Sequence, residues 1–284
     1  MAKIIKMEKA QPDLSLEKLQ ECSENLRAIL DMLRKEGLDL SDDDMDECEE
    51  DDDIDMNEGK YDEEEDYMMG LKLPKKLFVG DIKRECLVRV KLNNAPVKIW
   101  REFVVPANIT LETLAFVLIE AMGWEHEHLY QFCKKDISYM NTKELKKYKE
   151  FDAFGFSPVR YKNSDKTTLE SVLTAKGERI KFEYDFGDSW MHELWIKSVR
   201  DLAPNEEPVI KLLKAQGKCP PEDCGGVWGY ANLLDLLHND NKTDEEVEQL
   251  EWYDISEDYE PEDSDFEYLK ECVDDLWSEI KANM

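Results

Sequence analysis

The sequence predicts an α+β fold, a single core in which a mostly antiparallel sheet is packed by helices. Three observations carry that expectation. Segments with alternating apolar and polar residues, separated by turn formers, recur between Cys86 and Val199 and have the period of half-buried strands. Between them, residues 111–122 are apolar on almost every side, as a helix buried against a sheet must be. A chain of 284 residues, 42 % hydrophobic with seven Trp, is also long enough to bury one sizeable core.

Taken in order, residues 1–40 are expected to hold an amphipathic helix. Leu16, Leu19, Cys22, Leu26, Ile29, Leu30 and Leu33 recur at three- and four-residue steps, with Ser15 as cap and Gly37 as stop. Residues 41–71 are so rich in Asp and Glu that like-charge repulsion and scarce apolar surface predict a disordered linker. The folded domain is expected over 72–252. Residues 86–92 and 99–105 read as a hairpin around Asn93-Asn94-Ala95-Pro96. Thr110 caps the 111–122 helix and Gly123 ends it.

Residues 128–133 and 137–140 read as short strands, and the lysine-rich 141–149 as an exposed loop or short helix. Residues 168–173 read as a helical turn. Residues 179–184 and 190–199 form two strands joined at Phe186-Gly187-Asp188, where glycine permits a positive φ in a tight reversal. Residues 229–237 and 244–250 read as helices. Residues 253–284 are expected to be an acidic tail ending in an amphipathic segment with Leu269, Val273, Leu276 and Trp277 on one face.

The formal net charge is −30, unevenly spread. Residues 71–218 hold about 26 Lys and Arg against about 21 Asp and Glu, so a mildly basic middle lies between acidic arms. No apolar stretch is long enough for a signal peptide or a bilayer span, which predicts a cytoplasmic protein without membrane contact. Seven scattered cysteines lack the density of a secreted scaffold and are expected to be reduced.

Four stretches carry a signature: Pro96-Val97-Lys98-Ile99-Trp100-Arg101-Glu102-Phe103-Val104-Val105-Pro106, then Ala121-Met122-Gly123-Trp124 with His128-Leu129, then Tyr184-Asp185-Phe186-Gly187-Asp188-Ser189-Trp190 with His192, and last Cys219-Pro220-Pro221-Glu222-Asp223 with Gly225-Gly226 and Gly229-Tyr230. In these residues the chain resembles the plasmid pRiA4b ORF-3-like family, over about residues 87–252. The resemblance implies a compact α+β domain and brings no reaction, substrate or cofactor with it. Some relatives carry a transposon- or resolvase-like label, but this sequence shows no recombinase serine motif, and fold-level likeness does not establish chemistry.

The candidate binding residues are Trp124, His128, Asp185, Asp188, Trp190, His192, Asp223, Trp228 and Tyr230, with no catalytic set assigned. His192, two residues past Trp190, points to the same side of its strand and is expected to meet Asp185 or Asp188. Trp124, Trp228 and Tyr230 lie beside glycines, which let backbone approach a ligand. Asp185-Phe186-Gly187 matches the kinase magnesium motif in letters only, because the phosphate loop, paired lysine and catalytic-loop Asp are missing. Gly-x-Ser-x-Gly and dinucleotide fingerprints are missing too.

For zinc or another divalent metal the candidates are His128, His192, Cys219 and Cys224. The two cysteines have zinc-like spacing, and any of His126, His128, His192 and His238 can complete a set. The alternative for Cys219–Cys224 is a rigid proline turn with free thiols and no cofactor. In an extended strand His126 and His128 share a face.

The leading functional reading is a non-enzymatic binding or accessory module, of mobile-element origin, with a protein partner. A metal-assisted hydrolase using Asp185, Asp188, His128 and His192 is the second. In the third, the acidic arms mimic nucleic acid or mask nucleic-acid binding by the basic middle near Lys143, Lys146, Lys147 and Lys149.

Overall fold

The structure, a computed structural model, describes residues 73–151, 159–174 and 176–284. The expected helix in 1–40 and linker in 41–71 lie outside the described residues. Eight strands form one sheet: β1 (Arg84–Leu92), β2 (Trp100–Pro106), β3 (Tyr130–Lys134), β4 (Ile137–Met140), β5 (Arg160–Asn163), β6 (Arg179–Tyr184), β7 (Trp190–Asp201) and β8 (Lys211–Gln216). Their order is β5-β4-β3-β6-β7-β1-β2-β8, and every pair is antiparallel except β4 with β5.

Alternation decides which side of the sheet is core. Cys86, Val88, Val90 and Leu92 of β1 are buried, and so are their neighbours across the ladders except Val199, opposite Cys86 near the end of β7. One such row runs Leu92, His192, Phe182, Phe132 and Tyr139 through five strands. The opposite face carries cross-strand ion pairs, Arg89 with Glu102 at 2.9 Å and Arg179 with Glu193.

Six α-helices and one short 3-10 turn (Ser164–Lys166) accompany the sheet among the described residues, the α-helices being α1 (Leu111–Met122), α2 (Thr142–Phe151), α3 (Leu169–Val172), α4 (Gly226–Leu237), α5 (Asp244–Trp252) and α6 (Phe266–Ala282). Thr110 caps α1, its hydroxyl accepting from Thr113 N at 3.1 Å, and Gly123 closes it in the left-handed region. None of the described helices is long and apolar enough to cross a membrane.

Three details depart from the sequence reading. Strand β3 begins at Tyr130, so His128 lies in the preceding loop, and His126 has a positive φ of 65°. The two histidines therefore share no strand face: His126 Nε2 faces Glu120 Oε1 at 3.0 Å instead. Of the two forms expected for residues 141–149, a loop or a short helix, the structure has the helix. Strands β5 and β8 were not anticipated. The segment expected as a tail belongs to the core, because α6 packs on α1 and β8 through Leu269, Val273, Leu276, Trp277 and Ile280.

Candidate functional site

The site is built where two reversals of the chain meet. The first joins β6 to β7. Asp185 accepts from Gly187 N through Oδ1 at 2.8 Å, and Ser189 N donates to Asp185 O at 2.7 Å. The positive φ expected at glycine falls instead on Asp185 and Ser189, at 55° and 54°. Aspartate tolerates that region because its short side chain can bond the adjacent backbone. Asp185 N also donates to Leu129 O at 2.8 Å, fastening this turn to the loop that carries His128.

The second reversal is the corner from Cys219 to Gly226. Its backbone and side chains are held from three directions. Trp124 Nε1 donates to Pro220 O at 3.0 Å, Tyr184 Oη donates to Glu222 Oε1 at 2.6 Å, and Glu125 N donates to Glu222 Oε2 at 3.2 Å. Gly225 N donates to Asp188 Oδ2 at 3.1 Å, which ties corner to turn. Gly226 is at φ 67°, and a Cβ there would come within 2.4 Å of Asp188 O, so only glycine allows the two backbones this close.

Between these reversals lies His128. Its Nδ1 is 3.7 Å from Asp185 Oδ1 and its Nε2 is 3.6 Å from Asp223 Oδ1. One donor atom from each of the three residues lies within 4.8 Å of the other two, and this is the group with metal-ligand geometry among the described residues. The ring sits edge-on to Tyr184, and His128 N faces Tyr184 Oη at 3.4 Å. Tyr184 in turn stacks on Trp124 with centroids 4.9 Å apart. Burial first, and then the Glu222 carboxylate, drive the Tyr184 phenol well above its ordinary range, so it stays a donor.

His192 is placed elsewhere. It is 0 % exposed, in the core row named above, with Nδ1 3.3 Å from Phe182 O and its ring beside Trp124 and Phe182. The expected meeting with Asp185 or Asp188 does not occur: no hydrogen bond or ion pair joins them among the described residues. Alternation explains the outcome, because Trp190, His192, Leu194 and Ile196 share the buried side of β7. Burial lowers the imidazole pKa to about 4, leaving it neutral, and Nε2 has no partner.

Trp190 lies in the same apolar layer, 5.9 Å from Trp124. Tyr230 is also core, its hydroxyl 3.2 Å from that of Tyr259. Cys219 and Cys224 stand outside the His128 group. Burial pushes the Cys224 thiol up to about 12 and the Cys219 thiol well above its usual range, so both hold their protons.

Trp228, by contrast, is 88 % exposed. It falls off the Tyr230, Leu233 and Leu234 stripe of α4 and lines a cleft of about 620 Å³ with Asn94, Pro96, Asp188, Ser189 and the Gly225-Gly226 pair. A second cleft, of about 740 Å³, lies along the corner's other residues and is rimmed by Glu125, Glu127, Glu222, Asp223 and Asp254, with Trp252 82 % exposed beside it.

Three contributors were missed in the sequence. Glu222 was quoted in the signature without a role, and Trp252 was taken only as a domain end. Arg101 is fully buried, and its guanidinium donates to Ala121 O, Gln216 O and Gly217 O at 2.6, 2.9 and 3.0 Å, rooting the segment that enters the corner. A charged residue at the inward position of an alternating strand was the available signal.

The sequence profile of the plasmid pRiA4b ORF-3-like protein family matches residues 84–268. The uncharacterized protein y4hQ of Sinorhizobium fredii is 34 % identical over 189 residues, 66 % of this chain and 90 % of that protein. Among solved structures, the protein of unknown function MM3350 from Methanosarcina mazei Go1 matches with a TM-score of 0.51 and 23 % identity, covering 66 % of this chain and 97 % of that one. At that identity the likeness is one of fold.

Proposed function

The chain belongs to the plasmid pRiA4b ORF-3-like family, and from that premise we propose that it is a non-enzymatic binding module that grips a basic, extended segment of a protein partner across the Cys219 to Gly226 corner. One observation carries the reading: two tryptophans, 88 % and 82 % exposed, line two clefts that share a corner held in place by hydrogen bonds with Trp124, Tyr184 and Asp188. Large aromatics left in water beside a concave surface are the usual anchors of protein recognition.

Charge selects the partner. Six carboxylates line the Trp252 cleft and only one of them, Asp265, is paired with the lining Lys218, so arginine or lysine side chains can pair with the others while stacking on the indoles. The same rim repels phosphate, which argues against nucleic acid at this surface. The partner is expected in the cytoplasm, where free thiols such as Cys86, Cys133 and Cys272 stay reduced.

The test is a fluorescence titration of the full chain against a peptide library in which extended sequences vary in Lys, Arg, Asp and Glu content. Basic peptides should bind with affinity that falls with salt. Trp228→Ala and Trp252→Ala should each weaken binding at least tenfold, about 1.4 kcal/mol. Equal affinity for acidic and basic peptides, or variants that bind as tightly as the parent, would overturn the proposal.

A further inference from the structure

We propose that His128, Asp185 and Asp223 form a binding site for a divalent transition-metal ion, which shares only Asp223 with the peptide surface above. The three residues come from separate parts of the chain: the loop before β3, the turn after β6 and the proline corner. Their convergence is a product of the fold rather than of local sequence.

Distances come first. Donors sharing one ion with bonds of roughly 2.1 Å sit about 3.4 Å apart in a tetrahedral arrangement. His128 stands 3.6 Å from Asp223 and 3.7 Å from Asp185, and the whole set lies within 4.8 Å. The gaps are too long for good hydrogen bonds. They are short enough for an ion to close, because the Asp223 side chain is 74 % exposed and free to swing inward.

Charge is a separate argument. Asp185 is only 7 % exposed, and among the described residues its one ion pair is the 3.7 Å approach of His128, a group that need not be charged. A buried carboxylate without a permanent counter-charge is costly. Neighbouring carboxylates deepen the negative field: Asp188 is bonded to Gly225 N, and Glu222 is bonded to Tyr184 and Glu125. A dication relieves both deficits, and the field concentrates cations at the site.

The frame is already set. Asp185 N donates to Leu129 O and its Oδ1 accepts from Gly187 N, and Tyr253 Oη donates to Asp223 O at 2.9 Å. One imidazole with two carboxylates suits zinc, manganese, iron(II) or cobalt(II). Calcium and magnesium favour all-oxygen sites, and copper(I) favours thiolates. The thiols of Cys219 and Cys224 take no part.

The experiment uses the full chain after stripping with a chelator, titrated calorimetrically with zinc and with manganese and checked by elemental analysis after equilibrium dialysis. The acidic run in residues 41–67 gives a weak background, which variants of the site retain. One saturable equivalent above that background is expected. Asp223→Asn, at an exposed position, should weaken it at least tenfold while leaving the circular-dichroism spectrum unchanged, and His128→Gln should do the same. Absence of a saturable equivalent, or unchanged binding in both variants, would refute the site.

Discussion

Acid should unfold this protein through His192 in a way that can be isolated by one substitution. In the folded chain the imidazole pKa is about 4, against 6.5 when solvated, because burial penalises its charged form. The unfolded state therefore binds more protons between those values, and stability falls as pH drops from about 6.5 towards 4. The full contribution is about 3 kcal/mol, most of which is lost by pH 4.5. His192→Phe removes the titration while keeping a ring of similar shape between Trp124 and Phe182. It forfeits one long hydrogen bond to Phe182 O, so the variant should start about 1 kcal/mol below the parent at pH 8. Urea denaturation of both proteins from pH 8 to 4.5 gives the difference curve, in which carboxylates such as Glu102 cancel. The parent's advantage should shrink, cross zero near pH 6 and reverse. Two curves that stay parallel across this range would refute the assignment of His192 as a buried neutral histidine.

The remaining expectations concern the corner and its root. Gly226→Ala forces a Cβ against Asp188 O at a positive φ and should destabilise the fold by about 2 kcal/mol or more, read as a lower Tm. Arg101→Met strands the carbonyls of Ala121, Gln216 and Gly217, and a loss of about 3 kcal/mol is expected in chemical denaturation. The Cys219 and Cys224 thiols, held protonated by burial, should resist alkylation at pH 8 in the native protein and react on unfolding, measured by peptide mass spectrometry.

Much of the fold was legible because local and global signals agreed. Helix α1 carried its own cap and stop, and the β1–β2 and β6–β7 pairs carried alternation flanked by turn residues. Strand β8 was hidden because Lys, Leu, Ala and Gln favour helix; it is a strand only because β2 offers an open edge. Strand β5, four residues with little apolar content, gains its place by parallel pairing with β4. In the site, the turn aspartates were visible, but the approach of Asp223 to His128 depends on the whole sheet being assembled. The burial of His192 was legible from its two-residue period with Trp190 and Leu194, and the sequence reading followed its polar chemistry instead.

The signature residues that identify the family divide by what they touch. Trp124, Tyr184, Glu222, Asp188, Gly226 and Arg101 spend their polar atoms, or their missing Cβ, on other parts of the corner and turn. They fix the shape of a surface and leave its chemistry to side chains that point away from it, chiefly Trp228, Trp252 and Asp223. A corner tied by these bonds has little conformational freedom left to lose. The motifs thus encode the platform together with His128, Asp185 and Asp223, whereas the two exposed tryptophans, Trp228 and Trp252, fall outside the quoted stretches.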